Sequence, residues 1–166
     1  PRVASALMRQ GSGDTKVPAM GHCVRGTPLA PTLACLAEKR RVRATSATFL
    51  AAQVDFTHAG DLMVFVDEEQ ISALEKEMKA AGVLEGSKMA MAFNMLRSND
   101  LIWSYVISNY LKGQEPAAFD LLHWNSDATR MPGANHSFYL RNCYLENRLS
   151  TGTMVLDNTL LDLSKV

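Results

Sequence analysis

Surplus charge is the first thing missing from this chain of 166 residues: 17 Lys and Arg offset 17 Asp and Glu. Phosphate binding needs a basic surface, so the balance argues against nucleic acid as the main partner. The one basic clump, Lys39, Arg40, Arg41 and Arg43, reads as a solvated loop. A disulfide framework is missing too. Cys23, Cys35 and Cys143 are odd in number and loosely spaced, which points to a reducing compartment. No apolar run reaches the ~18 residues that a membrane span requires. No signal-peptide pattern, internal repeat or low-complexity segment is visible. His123, Asp127, His136 and Cys143 can be drawn as a metal set, but their spacing fits no ligand pattern, and no metal is expected. The chain begins at Pro1 rather than Met and stops at "LDLSKV". Both ends read as cuts, so the expectation is a piece of a longer protein.

What is present suits one folded domain, with a hydrophobic fraction of 47%. "KVPAM" reads as a short buried strand, although Pro18 removes a ladder donor. "PLAPTLACLAEKR" reads as a helix. "ATSATFLAAQVDF" reads as a second buried strand ending near Asp55, which closes it as a turn residue. Strand, helix and strand make a βαβ unit, hence an α/β class with a parallel sheet.

Residues 61–113 read as helices. "DEEQISALEKEMKAAG" has Asp67 as N-cap, Gly82 as stop, and Ile71, Leu74 and Met78 on one face, with Glu75 and Lys79 as an i,i+4 pair opposite. "SKMAMAFNMLRS" takes Ser87 as its cap, with Met89, Ala92, Phe93 and Leu96 together. "DLIWSYVISNYLKG" runs from Asp100 to Gly113 with a stripe of Trp103, Val106, Ile107 and Tyr110. A loop, a further helix over "ANHSFYLRNCYLENRL" and a short hairpin in "TGTMVLDNTLLDLSKV" complete the chain. Cys35 and Cys143 fall on helices and read as core. Trp103, Tyr105, Tyr110, Trp124, Phe138, Tyr139 and Tyr144 read as a small helical core, or else as an apolar face for a partner.

The chemistry concentrates in Gly21-His22-Cys23-Val24-Arg25-Gly26. A strand, a sharp turn carrying a nucleophile and then a helix is the layout of a nucleophile elbow. The turn is strained, so small residues are needed two positions before and two after the nucleophile. A helix N-terminus favours thiolate at a cysteine placed on it, and the backbone N–H of Val24 is positioned as an oxyanion donor. Cys23 is the candidate nucleophile. Gly21 meets the pattern. Arg25 stands where the second glycine is expected, and its side chain is expected to crowd the crossing of helix and strand.

The segments "GHCVRGT", "ATFLAAQVDFTHAGDLMVFVDEEQ", "MAFNMLRSNDLIWSYVISNYLKGQEP", "FDLLHWNSDATRMPGANHSFYLRNCYLENRL" and "LDLSKV" follow in order. Together they closely resemble polyhydroxyalkanoate (poly-3-hydroxybutyrate) synthases, chiefly class I. The resemblance covers nearly everything from Lys16 onward. It implies a partial α/β-hydrolase core over 1–60, an inserted mainly helical cap over 61–150, and a truncated return to the core over 151–166. It implies an acyltransferase that polymerises (R)-3-hydroxyacyl-CoA into polyester, releasing CoA, through a thioester on Cys23. No cofactor is implied beyond the CoA on the substrate. A homodimer at the surface of cytoplasmic polyester granules is implied for the full-length protein.

The family's catalytic Asp and His lie downstream of the "LDLSKV"-like segment, so they are expected beyond Val166. None of His22, His58, His123 or His136 occupies the catalytic position, and the chain alone is expected to be inactive. Arg25, Pro18, Pro28 and Pro31 depart from the pattern, with Pro31 deep enough in the helix to cost ~3 kcal/mol. The alternatives are a thioesterase or depolymerase on the same fold, and a non-catalytic fragment. A serine at position 23 would favour hydrolysis, whereas cysteine suits a chain held as thioester.

Overall fold

The computed structural model describes residues 15–41, 43–116 and 130–166. Internal contacts divide the chain into two units: Pro1–Ala59 with Arg141–Val166, and Gly60–Leu140. The class is α/β, with a short parallel sheet and mainly helices.

The first unit opens with strand β1 (Val17–His22), a 3-10 turn (Cys23–Arg25), helix α1 (Gly26–Glu38) and strand β2 (Ala44–Leu50). β1 and β2 pair in parallel, as the βαβ reading requires. Pro18 does not break β1. The register shifts between Val17 and Ala19, so the proline sits at a bulge where no ladder donor is needed. α1 likewise runs through both prolines. Pro28 lies in its first turn, where N–H groups have no intrahelical partner. Pro31 is one turn further in and buried, and only the bond to the Thr27 carbonyl is forgone. α1 supplies Ala30, Leu33, Ala34, Cys35 and Leu36 to the core.

β2 corrects the sequence reading twice. It ends at Leu50, because Ala51 has φ +47 and cannot continue an extended strand. It is also exposed rather than buried from Thr45 to Leu50. Among the described residues it pairs with β1 alone.

The rest of this unit closes on Phe56, which is 1% exposed and meets Tyr144 edge to face at a centroid distance of 4.7 Å. Strands β3 (Val155–Leu156) and β4 (Thr159–Leu160) form the expected hairpin. Asp157 and Asn158 both have positive φ, as a tight two-residue hairpin turn demands. Ion pairs from Lys39 to Asp157 and from Lys165 to Glu38 tie α1 to the hairpin and the chain's final turn.

In the second unit, helix α2 (Glu68–Ala81) matches its expected signals. The Asp67 carboxylate accepts from the Gln70 N–H at 2.7 Å, and Gly82 stops the helix at φ +77. Ile71 and Met78 are buried, and Glu75 accepts from the Ser137 hydroxyl. Helix α3 (Gly86–Leu96) starts one residue before Ser87, with Glu85 at the N-cap, so Ser87 lies inside the first turn. The run from Asn99 is no regular α-helix. It winds as π turns over Asn99–Trp103 and Val106–Leu111, and Gly113 ends it at φ +62. Its stripe faces outward: Trp103 is 54% and Tyr110 87% exposed, so it is not a helical core. Periodicity lines residues up on a face without showing what covers that face. Helix α4 (Gly133–Tyr139) packs on α2 where Gly133 meets Met78, and the chain winds on through Leu140–Leu145 as a π turn.

Candidate functional site

His22 ends β1 in an extended conformation, and Cys23 turns the chain at φ +52. A non-glycine residue held there costs on the order of 1–3 kcal/mol and persists only where its surroundings over-determine it. The Gly26 N–H donates to the Cys23 carbonyl, closing the turn, and α1 begins at once. The thiol is exposed and has no hydrogen-bond partner among the described residues. Val24 is 40% exposed and follows directly, at the end of the helix where backbone N–H groups lack intrahelical acceptors.

The close crossing that a sharp turn needs is between Gly21 and Gly26. A Cβ on Gly21 would fall 2.5 Å from the Gly26 Cα. A Cβ on Gly26 would collide with the Ala52 Cβ and stand 3.2 Å from the Gly21 carbonyl oxygen. The small residue therefore sits three positions after Cys23, not two. Arg25 is exposed, with ordinary helical dihedrals at the α1 N-cap. The expected crowding by Arg25 does not occur: its side chain is exposed, and the crossing is made by Gly21, Gly26 and Ala52. Sequence reading noted Gly26 one residue late without giving it a role, and passed over Ala52. The signal was two small residues at places where a helix start and a loop must both approach the turn.

No protein-family model matches the chain. A poly(3-hydroxyalkanoate) polymerase of Methylorubrum extorquens is 66% identical over 155 residues, which is 93% of this chain and 26% of that protein. The poly(3-hydroxyalkanoate) polymerase subunit PhaC of Rhizobium meliloti is 61% identical, over 96% of this chain and 26% of that subunit. Its counterpart in Cupriavidus necator is 40% identical, over 98% of this chain and 29% of that subunit. The chain belongs to the poly(3-hydroxyalkanoate) polymerase family. It spans about a quarter of the length of these relatives.

The remaining candidate residues fall elsewhere. Cys35 is fully buried in α1. Cys143 is 3% exposed, and burial pushes its thiol up to about 11, so it stays protonated at neutral pH. His22 and His58 are exposed. His136 is buried in the second unit, and desolvation lowers its pKa, which keeps the ring neutral. His123, Trp124 and Asp127 lie outside the described residues. Among the described residues no three His, Cys, Asp or Glu side chains come together as a metal site. No helix among them is long and apolar enough to cross a membrane.

Asp55 stands five residues beyond the end of β2 and anchors a polar clamp. Its carboxylate accepts from the Thr57 N–H at 3.0 Å, the Thr57 hydroxyl at 2.7 Å and the Asn147 amide at 2.8 Å. These bonds, the Thr57 N–H foremost, hold its pKa well below the usual carboxylate range. Asn147 also accepts from the Phe56 N–H at 3.0 Å. The clamp fixes the loop over buried Phe56, and Asp55 is a structural anchor there.

Proposed function

We propose that this chain is the nucleophile-bearing segment of a polyhydroxyalkanoate synthase that polymerises (R)-3-hydroxyacyl-CoA. The observation that carries the reading is the Cys23 turn: an exposed thiol at φ +52, between a strand end and a helix start, locked by the Gly21–Gly26 crossing. That is the local geometry of an α/β-hydrolase nucleophile elbow. The names borne by the relatives support the substrate class. The first unit then belongs to an α/β-hydrolase core, and the helical stretch within 61–150 to an inserted cap.

In the proposed reaction the Cys23 thiolate attacks the thioester carbonyl of the substrate. The carbon–sulfur bond to CoA breaks, and CoA leaves as a thiolate that takes up a proton. The Val24 N–H donates to the oxyanion of the intermediate. The hydroxyl of a second 3-hydroxyacyl group then attacks the enzyme thioester, loses its proton to a base, and forms an ester as the Cys23 thiolate departs. The family resemblance assigns the Asp and His that handle this proton to the polymerase beyond Val166. Coenzyme A arrives on the substrate, and no further cofactor is assigned. A polyester product fits a whole protein acting at granules in the cytoplasm, and we take it to be a homodimer there.

The test is to graft this chain in place of the matching segment of the Methylorubrum extorquens polymerase and supply 3-hydroxybutyryl-CoA. CoA release with polymer is expected, and Cys23→Ser should lower both by at least ~100-fold. Free CoA without polymer would make the chain a thioesterase. Full polymer yield from Cys23→Ser would remove Cys23 from the mechanism.

A further inference from the structure

The loop after β2 has no role in the elbow as sequence motifs describe it, yet three features bring it to the Cys23 turn. Ala51 reverses the chain at φ +47, a strained conformation for a residue with a Cβ. Ala52, the next residue, places its methyl in the space that a side chain on Gly26 would need. The Thr27 hydroxyl, on a residue 3% exposed, donates to the Gln53 carbonyl at 2.7 Å. Gln53 in turn donates through its amide to the Asp55 carbonyl at 3.0 Å, which links the loop to the Asp55 clamp.

We propose that Ala52 and Thr27 are positioning residues for Cys23, and that the loop 51–53 is a strut pressing the first turn of α1 against Gly21. Two contacts fix the helix start: a steric stop at Gly26 and a directional hydrogen bond at Thr27. The first sets how closely the helix approaches the strand, and the second sets its rotation. Together they decide where the N-terminal N–H groups of α1 stand relative to the thiol. Because the stop acts at Gly26, Arg25 is left to project outward, which explains how the turn accommodates an arginine. The inference rests on Cys23 being the nucleophile for its functional meaning. Its geometry can be tested without that assumption.

The chain carries its own controls, since Cys23 is exposed while Cys35 and Cys143 are buried. Iodoacetamide alkylation, followed site by site by mass spectrometry, reads the turn at Cys23 and the fold at the other two. Gly26→Ala is expected to slow alkylation of Cys23 by about threefold or more as the helix start is displaced from the thiol. Adding Ala52→Gly removes the colliding methyl and should recover most of the rate. Thr27→Val should slow Cys23 alkylation with Cys35 and Cys143 still protected, and Thr27→Ser should not. If Gly26→Ala instead unfolds the chain, all three thiols react, and Ala52→Gly should restore protection of Cys35 and Cys143. A Gly26→Ala chain that behaves like its parent, or one that Ala52→Gly does not rescue, overturns the strut. So does a Thr27→Ser chain that behaves like Thr27→Val. Polymer formation by Cys23→Ser in the graft would overturn the functional reading while leaving the alkylation result in place.

Discussion

Cys23 shows how little of a residue's role lies in its own side chain. Its environment is made by Gly21, Gly26 and Ala52, which have almost no side chain at all. Arg25, the conspicuous departure from the motif, is exposed. Arg25→Gly is therefore expected to change unfolding free energy by no more than ~0.5 kcal/mol and to leave CoA release by the graft unaltered. A several-fold gain in rate would restore the crowding explanation. Asn147 behaves in the opposite way. One amide side chain serves Phe56, Asp55 and Thr57 from a backbone at φ +48. Asn147→Ala should destabilise the first unit by about 1–3 kcal/mol in urea unfolding, and Asn147→Gly somewhat less, because glycine keeps the backbone conformation. His136 supplies a pH dependence. Its folded-state pKa lies below the ordinary 6.5, so the unfolded chain binds the proton more readily. Stability from the neutral ring is complete above 6.5. It declines as pH falls from there towards the folded value, and levels off below it. Melting temperatures between pH 7.5 and 5 should fall for the parent, and the slope should flatten in His136→Leu.

At the scale of elements, local signals were legible wherever the physics is local. Asp67 and Gly82 bound α2 as read, because a cap carboxylate and a left-handed stop act within one turn. Asp67→Ala should cost about 1 kcal/mol of stability, and Gly82→Ala about 1 kcal/mol more, both measurable by hydrogen exchange along α2. The hairpin turn at Asp157 and Asn158 was equally local. What failed needed knowledge of a neighbour. Pro18 looked like a strand breaker until β2 supplied a register in which it occupies a bulge. The apolar run after Phe49 looked like more strand, yet it is the strut, reversed at Ala51. The stripe through Trp103 and Tyr110 had helical spacing, but the backbone there winds as π turns and the stripe is exposed.

For the whole molecule, exposure is the dominant fact. Met20, Phe49 and Leu50 lie open on a parallel sheet, a kind of sheet otherwise covered on both faces. Met91, Met95, Leu101, Trp103 and Leu111 are open in the second unit. The isolated chain is accordingly expected to self-associate at micromolar concentration and to bind an apolar dye, both read by size-exclusion chromatography and fluorescence. The grafted polymerase should show less dye binding per chain. Composition and spacing were enough for the α/β class, the parallel βαβ unit and the α2 boundaries, because these depend on residues a few positions apart; the family was legible only as a resemblance along long stretches of sequence. The place where the helix crosses the strand came from folding. So did the outward turn of Arg25 and the strut at Ala52 and Thr27. The strut joins residues 26 positions apart in sequence, and the Gly21–Gly26 crossing is set by how closely two backbones can approach, a distance that no local pattern of side chains encodes.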